Sequence, residues 1–307
     1  MASPQAKAIE NQFRLMRSLS ETVFDLEQER ENTCDAHELT GQPDGVRYER
    51  DELAGISVLR AIPERDLGRY SVVFLHGGAF CLMSSRTHHR LAGHIASACK
   101  AQVILPDYAL APERPFPAAL QECVAVLGAA QDERSDGMAA LMGDSAGGGL
   151  ALSVLLQIRD QGATPPFAAV LMAPWLDLTL SSPSVRSAAG SDVILAEDNL
   201  RRMAELYLNG ANPDDPLASP LFGCFRDLPP LYVQASGRDL LRDDCTRLRD
   251  AFTEQGLALE FELFADMLHS FQFFAGNMPE AEDAISRAAA FLECRYSARR
   301  HENTEVG

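Results

Sequence analysis

A serine flanked by glycines carries the strongest chemical signal in this chain. The run GDSAG at 143–147 follows the apolar segment 139–142 and precedes a helix-forming run at 146–160. Small residues around a serine let a strand turn sharply into a helix and hold the hydroxyl exposed in a strained conformation. The helix N-terminus also favours negative charge that develops near the serine. The pattern predicts that Ser145 is a nucleophile, and the alternative is a tight structural turn.

Backbone donors for that negative charge are predicted in a glycine-rich loop earlier in the chain. The run HGGA at 76–79 directly follows the apolar run 71–75, so its N–H groups can point toward a serine at the end of a neighbouring strand. By itself the pattern is typical of a structural turn. Together with a nucleophile it predicts an oxyanion hole in which each donor contributes about 10²–10³ in rate. The candidate donors are the amides of Gly77, Gly78, Ala79 and Ala146.

A general base for the serine must come from one of seven histidines. Folds that present a serine on such a turn have the chain order serine, acid, histidine. His269, just beyond the predicted strand 259–264, fits this order best. Asp239, just beyond the predicted strand 231–234, is placed to accept a hydrogen bond from the second nitrogen of the histidine. The aspartates at 243–244 are alternative acids, for which we expect helix capping instead.

The elements that position these residues are short apolar runs that alternate with helical patterns. Strands are predicted at 46–50, 56–61, 72–75, 103–105, 139–142, 168–172, 231–234 and 259–264. Helices are predicted at about 86–100, 117–132, 146–160, 243–256 and 280–296. The first two strands are too close for a helical crossover and should pair as a hairpin, whereas the later ones should be parallel and buried on both faces. We therefore expect one α/β domain built on a doubly wound sheet of about eight strands.

Two segments depart from this alternation. Residues 1–40 are rich in Glu, Gln and Arg, with a plausible helix start at Ser3-Pro4 and ordinary core packing as the simplest interpretation. Their larger apolar residues recur at helical spacing and are Ile9, Phe13, Met16, Leu19, Val23, Phe24 and Leu26. The second segment is an insertion at about 177–222 that contains a helical piece at Asn199–Leu208. An insertion of this length is typically a lid or a pocket wall.

Composition and charge restrict the class of protein. The 307 residues are 46% hydrophobic and 23% charged, which is ordinary for a folded domain. A formal net charge of −17 argues against nucleic acid and anionic membranes as partners. The seven cysteines are spread singly, so we expect reduced thiols and no metal site. We see neither a signal peptide nor an apolar stretch of the ~20 residues that a membrane span needs, and we expect a cytoplasmic protein.

These motifs together resemble the hormone-sensitive-lipase-like group of α/β-hydrolases, the bacterial family IV carboxylesterases. The matching runs are HGGAF at 76–80, DYALAPERPFPAAL at 107–120, GDSAGG at 143–148, DPLASPL at 215–221, SGRDLLRDD at 236–244 and MLHSF at 267–271. They occur in the family's order and cover most of the chain after about residue 70. One position departs from the pattern, because Ala79 stands where the family usually has a third glycine. The alanine keeps its N–H, so the departure concerns substrate choice more than catalysis.

The resemblance implies an α/β-hydrolase fold with an eight-stranded, mostly parallel sheet in a catalytic domain at 41–307. It also implies a helical cap formed by the N-terminal helices at 1–40 and the insertion at 177–222, no cofactor, and often a homodimer through the last strand. It assigns Ser145, Asp239 and His269 as a catalytic triad, with the amides of Gly78, Ala79 and Ala146 as the oxyanion hole. The side chains expected at the substrate pocket are Phe13, Phe24, Trp175 and Leu208, with core packing as the alternative for Trp175.

The expected activity is hydrolysis of small, fairly apolar carboxylic esters through an acyl-enzyme on the serine. Lactone hydrolysis needs the same groups and stays open. Amide hydrolysis and acyl transfer also stay open, because nothing in the sequence separates them cleanly from ester hydrolysis. An alternative of a different class is a non-catalytic protein of the same fold that binds small molecules, although the presence of all three triad residues argues against it.

Overall fold

The computed structural model describes residues 2–19 and 24–305, so Val23 of the N-terminal apolar pattern lies outside the described residues. The strands are β1 (Val46–Leu53), β2 (Ile56–Pro63), β3 (Ser71–Leu75), β4 (Val103–Pro106), β5 (Ala139–Asp144), β6 (Ala169–Met172), β7 (Leu231–Arg238) and β8 (Glu260–Leu268). The helices are α1 (Pro4–Leu19), α2 (Leu26–Thr33), α3 (Ser85–Cys99), α4 (Ala118–Asp132), α5 (Ser145–Asp160), α6 (Ser184–Ser187), α7 (Glu197–Leu208), α8 (Arg242–Glu254) and α9 (Pro279–Glu305). Short 3₁₀ turns lie at Ala36–Leu39, Pro220–Phe222 and Phe271–Phe274.

The eight strands form one sheet in the order β1-β2-β4-β3-β5-β6-β7-β8. The hairpin of β1 and β2 is antiparallel, and so is the pairing of β2 with β4. From β3 and β4 onward every neighbouring pair is parallel. The predicted α/β architecture and its eight-stranded, mostly parallel sheet are therefore confirmed. Because the parallel strands run the same way, the loops after β3, β5, β7 and β8 meet at one edge of the sheet.

Helices cover both faces of the sheet, and the two faces of each central strand feed separate cores. In β5, Ala139 and Leu141 pack with α4, α5 and α8, whereas Ala140 and Met142 pack with α3 and α9. This alternation is the two-residue period of a strand. All six residues of β5 are buried, so the strand is a rigid support for whatever follows it.

Helix α1 is attached to the carboxyl edge of the sheet by polar contacts. Ser3, just before the helix, donates from its N–H and its hydroxyl to Glu280 at the start of α9, at 2.6 and 2.8 Å. Glu10 accepts two hydrogen bonds from the guanidinium of Arg238, the last residue of β7, at 2.5 and 2.7 Å. The helix begins at Pro4, in agreement with the predicted start.

Helix α2 lies against the loops that follow β3 and β4. Arg30 donates from Nε to the carbonyl of Cys81 at 2.9 Å and from Nη2 to the carbonyl of Ala111 at 3.0 Å. The same guanidinium pairs with the carboxylate of Glu113. Both N-terminal helices therefore contact loops at the edge of the sheet where β5 ends.

The described part of the chain holds no helix with the length and apolar character that crossing a bilayer requires. Within residues 2–19 and 24–305 there is also no group of three or more His, Cys, Asp or Glu side chains arranged to bind a metal ion.

Candidate active site

Ser145 occupies a sharp turn between β5 and α5. Its φ of +51° lies in the left-handed region, which is strained for a residue with a side chain. The turn is possible because the chain packs closely behind it: a Cβ on Gly147 would lie 2.0 Å from the carbonyl oxygen of Leu75. The backbone oxygen of Ser145 accepts a hydrogen bond from the N–H of Trp175 at 2.9 Å, which ties the turn to the loop after β6. The geometry is that of a serine presented for attack.

Three side chains that are far apart in the sequence meet at this turn. Nε2 of His269 lies 2.8 Å from Oγ of Ser145, and Nδ1 of the same ring lies 2.8 Å from Oδ2 of Asp239. The other oxygen of Asp239 accepts the N–H of Leu241 at 2.7 Å. All three side chains are buried, with Asp239 fully inaccessible to solvent. The arrangement can move a proton from a hydroxyl to an imidazole whose orientation a carboxylate fixes.

The electrostatic surroundings of His269 favour its protonated form. Burial by itself would lower the pKa of the imidazole. The charge and hydrogen bond of Asp239 act in the opposite direction, and the charges of Asp192 and Asp144 add to them. The net result is a pKa of His269 above its ordinary value of 6.5.

The loop after β3 runs beside the serine in an unusual backbone conformation. Gly78, Ala79 and Phe80 have consecutive positive φ values of +114°, +51° and +62°. A Cβ on Gly78 would lie 2.2 Å from the carbonyl oxygen of Leu82, so only glycine fits there. Ala79 adopts a left-handed conformation that costs an alanine about 1–2 kcal/mol.

The prediction for Gly77 needs correction. Its N–H donates to Oδ1 of Asp144 at 2.8 Å, so this amide is already used and is not directed at an oxyanion. Gly77 instead attaches the loop to the residue that precedes the nucleophile. Among the candidate donors, this leaves the amides of Gly78, Ala79 and Ala146.

Asp144 is a functional candidate that the sequence analysis missed. Its carboxylate is buried and also lies 3.4 Å from Nε2 of His88 and 3.3 Å from the hydroxyl of Ser270. Burial raises the pKa of Asp144, but His88 and the N–H of Gly77 outweigh it and hold the pKa below its usual range. A buried carboxylate therefore links the loop after β3, the turn at Ser145 and the residue after His269. Its position directly before Ser145 in GDSAG was the available signal.

His76 supports the same loop from behind. Its ring stacks on Tyr108 with centroids 4.2 Å apart, and the Tyr108 hydroxyl donates to the carbonyl of His76 at 2.6 Å. Burial lowers the pKa of His76 to about 4, so the ring is neutral at physiological pH. These contacts give His76 a structural role at the start of the loop.

Two of the predicted pocket residues are fully enclosed side chains close to this loop. Trp175 is buried and donates from Nε1 to the carbonyl of Asp177 at 3.0 Å, with its ring 5.8 Å from that of Phe80. Leu208, at the end of α7, is buried in the same core. Phe80 stacks on Tyr207 with centroids 4.0 Å apart, which adds two aromatic residues that the sequence analysis did not single out.

The two predicted phenylalanines lie apart from each other. Phe13 is half-buried and contacts Phe274 edge-on with centroids 5.7 Å apart, on the core shared with α3 and α9. Phe24 is half-buried against the opposite core. The structure therefore does not bring them together as one wall.

The expectation that residues 243–244 cap the next helix is wrong for Asp244. Its buried carboxylate accepts the N–H groups of Leu176 and Asp177 at 2.9 and 3.1 Å, and it also accepts the hydroxyl of Ser182. These partners belong to the loop after β6 and not to α8. Asp244 bonds three donors of a distant segment instead of capping its own helix. The sequence could not reveal these distant contacts.

Comparisons with known proteins agree with this geometry. The chain matches the family model described as alpha/beta hydrolase fold over residues 72–273. An acetyl-hydrolase from Streptomyces hygroscopicus is 38% identical over 231 residues, which are 75% of this chain and 77% of that protein.

Solved structures extend the match to nearly the whole chain. An esterase from the bacterial hormone-sensitive lipase (HSL) family superimposes with a TM-score of 0.91 at 32% identity, covering 96% of this chain and 99% of that one. The structure of EstE5 soaked with p-nitrophenyl butyrate gives a TM-score of 0.90 at 31% identity, covering 96% of this chain and 100% of that one. The chain therefore belongs to the α/β-hydrolase fold family, within its hormone-sensitive-lipase-like group.

Proposed function

We propose that the protein is a carboxylic ester hydrolase that works through an acyl-enzyme on Ser145. The observation that carries the proposal is the continuous hydrogen-bonded chain from Asp239 through His269 to a serine on a strained turn. The names of the similar proteins, an acetyl-hydrolase and esterases, support the same activity. A binding protein without catalysis would have no need to hold a hydroxyl 2.8 Å from a buried imidazole.

In the proposed mechanism, Nε2 of His269 takes the proton of the Ser145 hydroxyl as Oγ attacks the ester carbonyl. Asp239 accepts a hydrogen bond from Nδ1, so that Nε2 is the free acceptor, and it stabilises the imidazolium that forms. The alcohol leaves with the proton from Nε2, which breaks the ester bond and leaves an acyl-enzyme. Water then attacks by the same route and releases the acid, which restores the serine.

The oxyanion of each tetrahedral intermediate is proposed to bind the amides of Gly78, Ala79 and Ala146. Ala146 is at the start of α5, where the first N–H groups have no acceptor within the helix. The positive φ values at Gly78 and Ala79 turn that loop's amides away from ordinary secondary structure. Preorganised donors of this kind act on the charge that develops in the transition state.

The proposed substrates are esters with a short, apolar acyl group. Ser145 is only 8% exposed and His269 only 5%, so little of the reacting groups is accessible to a bulky substrate. Ala79 is half-buried against an apolar core that includes the rings of Phe80 and Trp175, so the surroundings of the loop are apolar. The N-terminal helices and the insertion are proposed to form the cap above it.

The setting of the enzyme is also part of the proposal. The seven cysteines are all free, which supports a reducing cytoplasmic location. The last strand, β8, lies at the edge of the sheet with Leu263 45% exposed, which supports a homodimer through that strand.

The test is hydrolysis of p-nitrophenyl esters of graded acyl length by the wild type and by Ser145→Ala. The variant should fold and lose activity by about 10³-fold or more. Ser153→Ala is the matched control, because that serine is also buried in α5 and its hydroxyl only bonds the carbonyl of Gly149. Comparable activity in Ser145→Ala and Ser153→Ala would refute the proposed function.

A further inference from the structure

The backbone of Leu240, the residue directly after the triad acid, is held by two side chains of the insertion, one at its N–H and one at its carbonyl. The carboxylate of Asp192 accepts the N–H of Leu240 at 2.9 Å. The hydroxyl of Ser184 donates to the carbonyl of the same Leu240 at 2.6 Å and accepts the N–H of Asp243 at 3.0 Å. Two side chains separated by about fifty residues from Asp239 therefore fix the backbone directly after it.

These hydrogen bonds affect the orientation of the Asp239 carboxylate. One oxygen of Asp239 accepts a hydrogen bond from His269. The other accepts the N–H of Leu241, the residue after Leu240. Asp192 and Asp239 thus accept hydrogen bonds from the consecutive N–H groups of Leu240 and Leu241 in one turn. A change in the backbone torsions of Leu240 would move the Leu241 amide, and the Asp239 carboxylate that this amide anchors would turn away from Nδ1 of the histidine.

Backbone amides hold the carboxyl group of Asp192 in place. It is buried, and its other oxygen accepts the N–H groups of Ile194 and Leu195 at 2.8 and 2.9 Å. Burial raises the pKa of Asp192, and the neighbouring charge of Asp239 raises it further. Three amide donors directed at its two oxygens act against this rise and stabilise the ionised form.

We propose that Asp192 is a positioning residue for the triad acid: it holds the turn that carries Asp239, and it places a second negative charge at the amide next to the one that anchors the Asp239 carboxylate. This inference rests on the proposed function, in which His269 becomes positively charged in each transition state. Asp192 touches no reacting atom, so it acts through the two residues that do. Ser184 also forms hydrogen bonds with this turn but carries no charge.

The other charged and titratable groups around this turn come from several elements. Asp144 contributes from the end of β5, and the buried thiol of Cys245 lies near Asp239 from α8. From α1, Arg17 donates to the carbonyls of Asp192 and Leu195. Arg238, next to Asp239, is paired with Glu10.

The experiment compares the wild type with Asp192→Asn, Ser184→Ala and the control Asp215→Asn. Asp215 lies in the same insertion, and its carboxylate likewise accepts an N–H from two residues ahead, that of Leu217, at 2.9 Å. This hydrogen bond lies within its own loop. Two readouts are taken: kcat and KM with a p-nitrophenyl ester, and the pKa of His269 from NMR titration of imidazole-labelled protein. The second readout needs no turnover.

Asp192→Asn should lower kcat by about tenfold to a hundredfold, the loss seen when an orienting partner of a metal-binding histidine is removed, while KM changes much less. It should also move the pKa of His269 downward, because one negative charge is gone. Ser184→Ala should lower kcat by a smaller factor and leave that pKa unchanged. Asp215→Asn should match the wild type in both.

Several outcomes would overturn the inference. Equal kcat in Asp192→Asn and Asp215→Asn would refute the positioning role of Asp192. An unchanged pKa of His269 in Asp192→Asn would refute the proposed effect of the second negative charge. If circular dichroism shows that Asp192→Asn is unfolded, Asp192→Ser keeps a hydroxyl that can accept the loop amides and takes its place. If it too is unfolded, wild-type kcat in Ser184→Ala refutes the held turn. If the wild type hydrolyses no ester, the proposed function fails, and the titration alone decides whether Asp192 acts on His269.

Discussion

Replacing Asp239 by asparagine should reduce kcat by about 10³–10⁴ while leaving the fold intact, because the two residues are nearly the same shape. The carboxylate accepts from Nδ1 of His269 and from the N–H of Leu241, at 2.8 and 2.7 Å. An asparagine has one carbonyl oxygen and one NH₂ group, so it can satisfy only one of these donors. If the NH₂ group faces the histidine, Nδ1 must become the acceptor and the proton moves to Nε2. That tautomer cannot take the proton of Ser145.

The matched control is Asp244→Asn, five residues further along the chain. Asp244 is equally buried but bonds the loop after β6, so kcat should stay within a few-fold of wild type. Burial raises the pKa of Asp244 to about 7. The folded state therefore prefers the neutral acid, and the wild type should lose stability as the pH rises from about 4 through 7. The variant, which is neutral at every pH, should not show that loss.

The assay is steady-state hydrolysis of a p-nitrophenyl ester, with denaturant unfolding of each variant at pH 5 and pH 8. A large fall in kcat for Asp244→Asn and near-wild-type kcat for Asp239→Asn would transfer the acid's role and refute the reasoning. Equal losses of kcat in Asp239→Asn and Asp244→Asn would mean that both substitutions disturb the loops in general.

Three further outcomes follow from the same geometry. A plot of kcat/KM against pH should rise through an apparent pKa above 6.5, because His269 must be neutral to accept a proton and its pKa is raised; a flat profile from pH 5 to 9 would contradict this. Ala79→Gly should relieve the left-handed strain, raise the free energy of unfolding by about 1 kcal/mol or less, and admit bulkier acyl groups; unchanged chain-length preference would show that the methyl group does not line the pocket. Phe13→Ala and Phe24→Ala should each shift the preference between short and long esters by about 1 kcal/mol per methylene, and should cost less than the ~3–5 kcal/mol of a closed-core phenylalanine. Full core-sized losses with wild-type preference would instead make these helices ordinary packing.

The sharp turn at Ser145 was predictable from the sequence because its determinants are local. GDSAG sits between an apolar strand and a helix-forming run, and the turn it forms depends on close contacts made by its own glycines. The central strands were predictable for a similar reason, since β3 to β6 are short, buried apolar runs. The order of serine, acid and histidine after successive strands then favoured His269 and Asp239, with the aspartates at 243–244 as alternative acids.

What could not be predicted depends on contacts between distant segments. Asp192 bonds Leu240 across 48 residues, and Asp244 bonds Leu176 across 68. In each case the sequence shows only an aspartate near a loop or a helix start, for which local capping is the simplest interpretation. Gly77 was misassigned in the same way, because its amide partner Asp144 lies 67 residues away.

The central claim is that Ser145 carries the acyl group, and covalent labelling tests it most directly. A fluorophosphonate should add one adduct per chain, located by mass spectrometry of the digested protein on the peptide that contains Ser145, with loss of activity in proportion. The nearest rival is Ser270, whose hydroxyl lies 3.4 Å from Nε2 of His269. An adduct on Ser145 that disappears in Ser145→Ala is the predicted result. An adduct on Ser270, or one that persists in Ser145→Ala, would contradict it.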